Sequence, residues 1–256
     1  MKFFDTHSHY NDEAFSEDRE EVFEKIKNAN IEKIVIVCCT DEEYDLTVDI
    51  MNKHKEMYFA FGIHPENEMP EGYLEKLEKL INNHRDQIVA VGEIGLDYHY
   101  TKDDKERQKE MLKKQVKFAN KVKLPVIIHS RDAGEDTAKV LEEVKPKYGL
   151  VFHCYQPNGA TLNSILKNGF YASFTGNITF KRNNFFYDVI KQIPIDRIMV
   201  ETDCPYMAPE PYRGTRNDSS NIPIMVKKLA EIFNKDIEEM SEILYENSLR
   251  FFNIKK

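Results

Sequence analysis

The sequence predicts an α/β fold, a (β/α)8 barrel of the TIM type with its site at the C-terminal ends of the strands. Three observations predict it. Eight short apolar runs alternate with charged stretches that are mostly long enough for a helix. The 256 residues match the roughly 250 typical of such a barrel. Polar residues able to bind a metal end or immediately follow the runs, where barrel enzymes keep their active sites.

The runs fall at 2–5, 33–38, 58–62, 88–92, 125–129, 150–153, 171–174 and 197–202. Helical patterns occupy 17–29, 41–53, 71–83 and 105–121 among the intervening stretches. Alternation at this pitch implies parallel strands, because each return crossing needs a helix. Eight such units favour a closed barrel; an open sheet is the alternative. After the eighth run comes an irregular segment, 204–221, containing Pro205, Pro209, Pro211 and Gly214. Two further helices are expected near 222–233 and 237–252, the second opened by a capping box of Asp236 and Glu239. With no linker, low-complexity segment or short repeat, residues 1–256 read as one domain.

Composition narrows the class. Hydrophobic residues make up 41% and charged residues 31%, and no apolar run approaches the ~18 residues of a membrane span. The chain enters a strand pattern at Met1-Lys2-Phe3-Phe4-Asp5, which leaves no room for a signal peptide. Cys38, Cys39, Cys154 and Cys204 lie in or beside apolar runs and read as reduced thiols, so a cytoplasmic location is expected. No obligate protein partner is implied. A net charge of −8 argues against a protein that coats nucleic acid, though not against an enzyme whose metals neutralise phosphate locally.

The chemistry lies at the strand ends. His7 and His9 follow the first run, His64 the third, Glu93 the fourth, His129 the fifth, His153 the sixth and Asp203 the eighth. A single histidine is most simply a core or surface side chain, as His54, His84 and His99 are read. Five of the eight histidines at matching strand ends are not so explained. Residues two apart share a strand face, so Asp5, His7 and His9 are expected to point the same way. Imidazole with carboxylate suits zinc, manganese, iron or nickel better than magnesium, which stays an option. Four histidines and two carboxylates exceed the three protein ligands of one catalytic zinc. They suffice for two divalent cations about 3.5–4 Å apart, with Glu93 as the bridge. Asp203 can bind a metal and also take the proton of the attacking water. Asp5 and Glu201, two residues before His7 and Asp203, are expected one layer deeper, accepting the outer N–H of metal-bound histidines. Cys154 and Cys204 are expected to face the helix layer and not the metals.

At these residues the chain resembles the TatD family of metal-dependent deoxyribonucleases, within the amidohydrolase superfamily. The resemblance rests on Asp5-Thr6-His7-Ser8-His9, Gly62-Ile63-His64-Pro65, Gly92-Glu93-Ile94-Gly95-Leu96-Asp97-Tyr98, and His129-Ser130-Arg131-Asp132-Ala133. It continues through His153-Cys154-Tyr155, Glu201-Thr202-Asp203-Cys204-Pro205-Tyr206, Arg213-Gly214, Arg216-Asn217 and Asn247. It implies that His7, His9, Glu93, His129, His153 and Asp203 bind metal, with His64 near the substrate. It also implies hydrolysis of DNA phosphodiesters, exonucleolytic in mode. Arg131, Arg213 and Arg216 are expected to fork onto flanking phosphates. Two loop segments depart from the usual pattern: Gln156-Pro157, where Ser-Gly is common, and Asp218-Ser219-Ser220-Asn221. Both are expected over the site, with consequences for substrate preference. The same metals can serve a second class of reaction, attack on the carbonyl of an ester, lactone or amide, aminoacyl esters included. Two other readings fit less well. A phosphoesterase of the polymerase and histidinol phosphatase type lacks the Gly92–Tyr98 segment, and a non-enzymatic metal scaffold does not need so complete a ligand set.

Overall fold

The computed structural model describes residues 1–99 and 104–255. Its strands are β1 (Phe3–Ser8), β2 (Ile31–Cys38), β3 (Tyr58–Phe61), β4 (Ile88–Asp97), β5 (Val126–Arg131), β6 (Leu150–Phe152), β7 (Tyr171–Phe174) and β8 (Ile198–Val200). They form one sheet in chain order, and every neighbouring pair is parallel. Helices α1 (Arg19–Asn28), α2 (Tyr44–Lys53), α3 (Tyr73–Asn83), α4 (Lys105–Val122), α5 (Gly134–Val144), α6 (Gly159–Asn168) and the short α7 (Tyr187–Ile190) return the chain between strands. Helices α8 (Ile222–Phe233) and α9 (Ile237–Phe252) follow the last strand. None of the described helices is long and apolar enough to cross a membrane.

The sheet curls until the chain beyond β8 meets β1, which selects the barrel over the open sheet. Asp203 N–H donates to His7 O at 2.9 Å and His9 N–H donates to Cys204 O at 2.8 Å. The seam is therefore sewn by the backbone of three residues expected to carry the chemistry.

Strand alternation divides the apolar side chains into two layers. Ile34, Ile36 and Cys38 of β2 belong with the helix-facing cluster, and Val35, Val37 and the following Cys39 with the barrel interior. Phe4, Ala60, Ala90, Ile127, Val151 and Met199 complete much of the interior. Leu249, Phe251 and Phe252, from the end of α9, pack with them and with Tyr58 and Tyr245, so apolar contacts fill one end of the barrel. The polar groups collect at the other.

β1, β4 and β5 run past their expected ends, and β1 and β4 each carry an extra residue. On β1, Asp5 pairs with Ile34 and Ser8 with Ile36, three steps against two. On β4, Val91 pairs with Val126 and Ile94 with Ile128. Such an insertion re-aims a side chain. It lets both Thr6 and His7 face inward, Thr6 against Ser173 Oγ at 3.1 Å and His7 against Glu93. His7 and Glu93 thus lie inside strands, not just beyond them. At Gly95 the β4 and β5 backbones come so close that a Cβ would sit 1.9 Å from His129 O, a space only glycine allows. The capping box at α9 forms by half. Asp236 accepts from Glu238 N–H at 2.7 Å, while the Glu239 carboxylate turns to Lys235 instead.

Candidate metal centre

Glu93 stands at the middle of the polar end, 4% exposed. Its two oxygens look at different histidines. Oε1 lies 2.7 Å from both His129 Nδ1 and His153 Nε2, and 3.8 Å from His64 Nε2. Oε2 lies 3.4 Å from His7 Nε2 and accepts a hydrogen bond from Cys39 Sγ at 3.5 Å. His9 Nε2 is 3.0 Å from His7 Nε2, and Asp203 Oδ1 is 3.3 Å from His9 Nε2. Three overlapping triads result: His7–His9–Glu93, His7–His153–Asp203 and His64–Glu93–His129. Within each triad the ligand atoms lie within 4.8 Å of one another.

The nitrogens that face outward decide what the inward ones can do. His9 Nδ1 lies 3.3 Å from Val37 O, His153 Nδ1 3.2 Å from Glu201 Oε1, and His129 Nε2 2.9 Å from Asp97 Oδ2. Each partner is an acceptor, so in the neutral ring the imidazole proton sits on the outer nitrogen and the lone pair of the inner one points into the cluster. Converging buried lone pairs beside two carboxylates are what a divalent cation requires, and the donor set fits one.

Local electrostatics agree. Burial alone would raise the Glu93 carboxyl, but the His153 charge and the bonds from His129, His153 and His7 outweigh it and hold the group well below its usual range. Asp203 is treated the same way. Burial raises it, and the His9 hydrogen bond and the His153 and His7 charges bring it below normal. Both carboxylates therefore stay ionised in a buried place. Burial lowers His153 and His129, yet their carboxylate partners lift His153 well above and His129 above the usual imidazole value. In the metal-free protein the inner nitrogens of these two rings therefore take up a second proton more readily than an ordinary imidazole, and a cation must displace it. Metal affinity is then expected to fall as pH drops, beginning above the ordinary histidine value near ~6.5, with protons released on binding. Calorimetric titration with Zn2+ in buffers of different ionisation enthalpy reads that proton count directly. A count of zero near pH 7 would contradict histidine ligation.

His64 differs from the others. Its Nδ1 accepts Glu66 N–H at 3.3 Å, which places the proton on Nε2, the nitrogen facing Glu93. Burial and the neighbouring His129 charge push its pKa down to about 3, so the ring is neutral. It presents a donor to the site and not a lone pair.

Several expectations need correction. Asp5 does not face the histidine rings. The extra residue in β1 turns it to the helix side, where it accepts from Thr202 N–H at 2.9 Å, Ser219 Oγ–H at 2.6 Å and His7 N–H at 3.3 Å. Burial, offset in part by Ser219 and Thr202, pushes its pKa up to about 7. It fastens the β1–β8 seam by backbone and hydroxyl contacts. Glu201 does sit behind a ring, His153, and also accepts Cys154 N–H at 2.6 Å. Cys204 joins the helix-side core, but Cys154 does not. Its φ of 41° breaks the alternation, and its Sγ lies 3.4 Å from Thr175 Oγ1. Asp218 and Ser219 lie against Lys25, Tyr10 and Asp5, behind the metal centre and not over it.

The arginines divide. Arg216 forks onto Asp18 through both terminal nitrogens, with Ala14 O at 2.6 Å and the Phe15 ring beneath it, so its charge is paired within the fold. Arg213 lies over the Phe180 ring at 4.6 Å. Arg131 ends β5 opposite Asp97. Two contributors went unread in the sequence. Asp97 orients His129, and Cys39 touches the central carboxylate. The signal for Asp97 was the even spacing Glu93, Gly95, Asp97 along a continuing strand.

A barrel whose mouth gathers inward-facing imidazoles about a shared carboxylate defines a metal-dependent hydrolase. The chain belongs to the TatD family: the family model described as TatD related DNase matches residues 4–253. It is 38% identical over 254 residues to the uncharacterized metal-dependent hydrolase YabD of Bacillus subtilis (strain 168), covering 98% of this chain and 99% of that one. To YcfH of Escherichia coli (strain K12), which carries the same description, it is 32% identical over 258 residues, 99% of this chain and 97% of the relative. Among solved structures, YJJV, a TatD homolog from Escherichia coli K12, superposes with a TM-score of 0.92 at 28% identity over 99% of this chain and 98% of that one.

Proposed function

We propose that this chain is a deoxyribonuclease that hydrolyses DNA phosphodiester bonds from an end, using two divalent cations of the zinc or manganese type. The observation that carries the reading is Glu93, whose Oε1 faces the pair His129 and His153 while Oε2 faces His7. His7, His9 and Glu93, with Asp203, would hold one cation, and His129, His153 and Glu93 the other. Bound there, the cations supply an activated water and offset charge on the phosphoryl oxygens. The protein's own groups do the rest. Asp203, ionised and 3.3 Å from His9 Nε2, accepts the proton of the attacking water. Neutral His64 donates from Nε2 to a phosphoryl oxygen as charge develops there. Val37 O, Glu201 and Asp97 keep the rings turned to their tautomers throughout.

The metal-reconstituted protein, assayed against end-labelled single-stranded DNA, an aryl phosphodiester and a panel of esters, lactones and aminoacyl esters, tests this. Stepwise release of nucleotides from the DNA, abolished by chelation and restored by Mn2+ or Zn2+ at up to two ions per chain, is the expected result. Faster turnover of a carboxylic ester with the DNA left intact would move the activity to carbonyl hydrolysis. Full activity at one ion per chain would end the two-cation mechanism.

A further inference from the structure

On the segments that follow β7 and β8 lies a groove of about 460 Å³, lined by Phe180, Lys181, Arg182, Glu210, Pro211 and Arg213. Two loops build it. The segment after β7 and the segment after β8 are locked together at Gly176, where a Cβ would sit 2.1 Å from Met207 O, and at Thr179, whose hydroxyl accepts Glu210 N–H at 2.8 Å. The second loop begins at Asp203 itself. Its Tyr206 ring stands 6.5 Å from the His9 ring, and Asn217 ties the loop back to Thr202 O and Tyr206 O. The groove is thus continuous, along the chain, with the residue assigned to the water proton.

Its charge runs against that of the protein. The chain has a net charge of −8, yet this groove carries three cations and one carboxylate. Among the described residues Lys181, Arg182 and Arg213 form no ion pair, while Lys25 and Arg216 nearby each hold an aspartate. Three uncompensated cations along one groove favour a polyanion. Exposed rings lie on the same two chain segments: Phe185 is 70% exposed, Tyr206 56% and Tyr212 50%. Cations that track a backbone, interleaved with exposed rings, are the means by which proteins hold unpaired nucleotides.

We propose that this groove is a subsite for the nucleotides flanking the scissile phosphate. Lys181, Arg182 and Arg213 take the phosphates, and Phe185 and Tyr212 stack on unpaired bases. The inference rests on the phosphodiesterase reading above and adds to it where the flanking strand runs and that it is single-stranded there.

The test uses the metal-loaded protein and a fluorescein-labelled, phosphorothioate-linked single-stranded oligonucleotide that resists hydrolysis. Anisotropy gives Kd across a salt series, and the aryl phosphodiester gives kcat/KM for the centre alone. Lys181→Ala with Arg182→Ala is expected to weaken oligonucleotide binding about tenfold near 0.1 M salt. It should also flatten the slope of log Kd against log salt by about 1.4, roughly 0.7 for each single-strand phosphate that no longer meets a cation. Phe185→Ala with Tyr212→Ala is expected to weaken single-strand binding about tenfold and leave a duplex of the same sequence unchanged, since paired bases offer no free face. Turnover of the aryl phosphodiester stays within twofold in both variants. If wild type degrades the unmodified oligonucleotide and both variants bind and turn over like it, the groove is not the subsite and the nuclease reading stands. If wild type neither binds nor cuts the oligonucleotide, the nuclease reading falls and the subsite with it. An equal loss on the aryl phosphodiester would overturn the subsite in favour of a structural role for these loops.

Discussion

Asp203→Asn is expected to leave a folded, metal-loaded protein whose kcat has dropped at least about a hundredfold. Loss of a general base typically costs about 10²–10⁴ in rate, or roughly 3–5 kcal/mol of barrier. Asparagine keeps the shape and one weak oxygen ligand but cannot take a proton near neutral pH. The geometry says why metal should remain. Asp203 Oδ1 is 3.3 Å from His9 Nε2 and 3.7 Å from His7 Nε2, so those two rings and Glu93 still surround the same point. The fold should tolerate the change because the seam at this residue is a backbone bond, Asp203 N–H to His7 O. Metal content by plasma emission and single-turnover rates on one preparation separate the outcomes. Full metal with turnover within a fewfold of wild type removes Asp203 as the base. A rate restored by excess cation leaves it a ligand only. In either case the proton acceptor must be a group other than His64, whose site-facing Nε2 already carries a proton.

What could be read from the sequence divides along a physical line. Strand-end histidines were legible because period-two alternation and barrel topology act locally: a run, a polar residue at its end, a helix. The direction each side chain takes was less so, because it depends on register against a neighbouring strand. The three-against-two pairing of β1 with β2 turned Asp5 outward and both Thr6 and His7 inward, reversing a simple count from Asp5. The matching shift in β4 carried the strand on to Asp97 and so hid the carboxylate behind His129. Cys154 escaped for a backbone reason, its positive φ. Arg216 and Asp18 meet across 198 residues, a pairing no local pattern foretells. The loop cations Lys181 and Arg182 carried no signal alone and gain one only when the fold sets Arg213 beside them.

The largest loss is expected at Glu93, and two variants there distinguish a bridge from a ligand to one cation. The carboxylate serves both sides, with Oε1 2.7 Å from His129 Nδ1 and His153 Nε2 and Oε2 3.4 Å from His7 Nε2. Glu93→Gln keeps the length but leaves one oxygen and one NH2 group, which is a donor and no ligand. It also removes the negative charge that the surrounding histidines hold in place against burial. Metal content is expected to fall below half that of wild type, and kcat/KM at least about a thousandfold, roughly 4 kcal/mol. Glu93→Asp keeps the charge and both oxygens but withdraws them by one methylene. It should reach one histidine pair and lose the other, binding a single equivalent of Zn2+ where wild type is expected to bind two. The metal-free forms of both variants need thermal melts beside wild type, since breaking a buried ion pair can itself cost about 3–5 kcal/mol. A Gln variant that holds its metal and turns over within tenfold of wild type would show that the histidines suffice. An Asp variant that binds two equivalents at wild-type affinity would show that the carboxylate need not span the site.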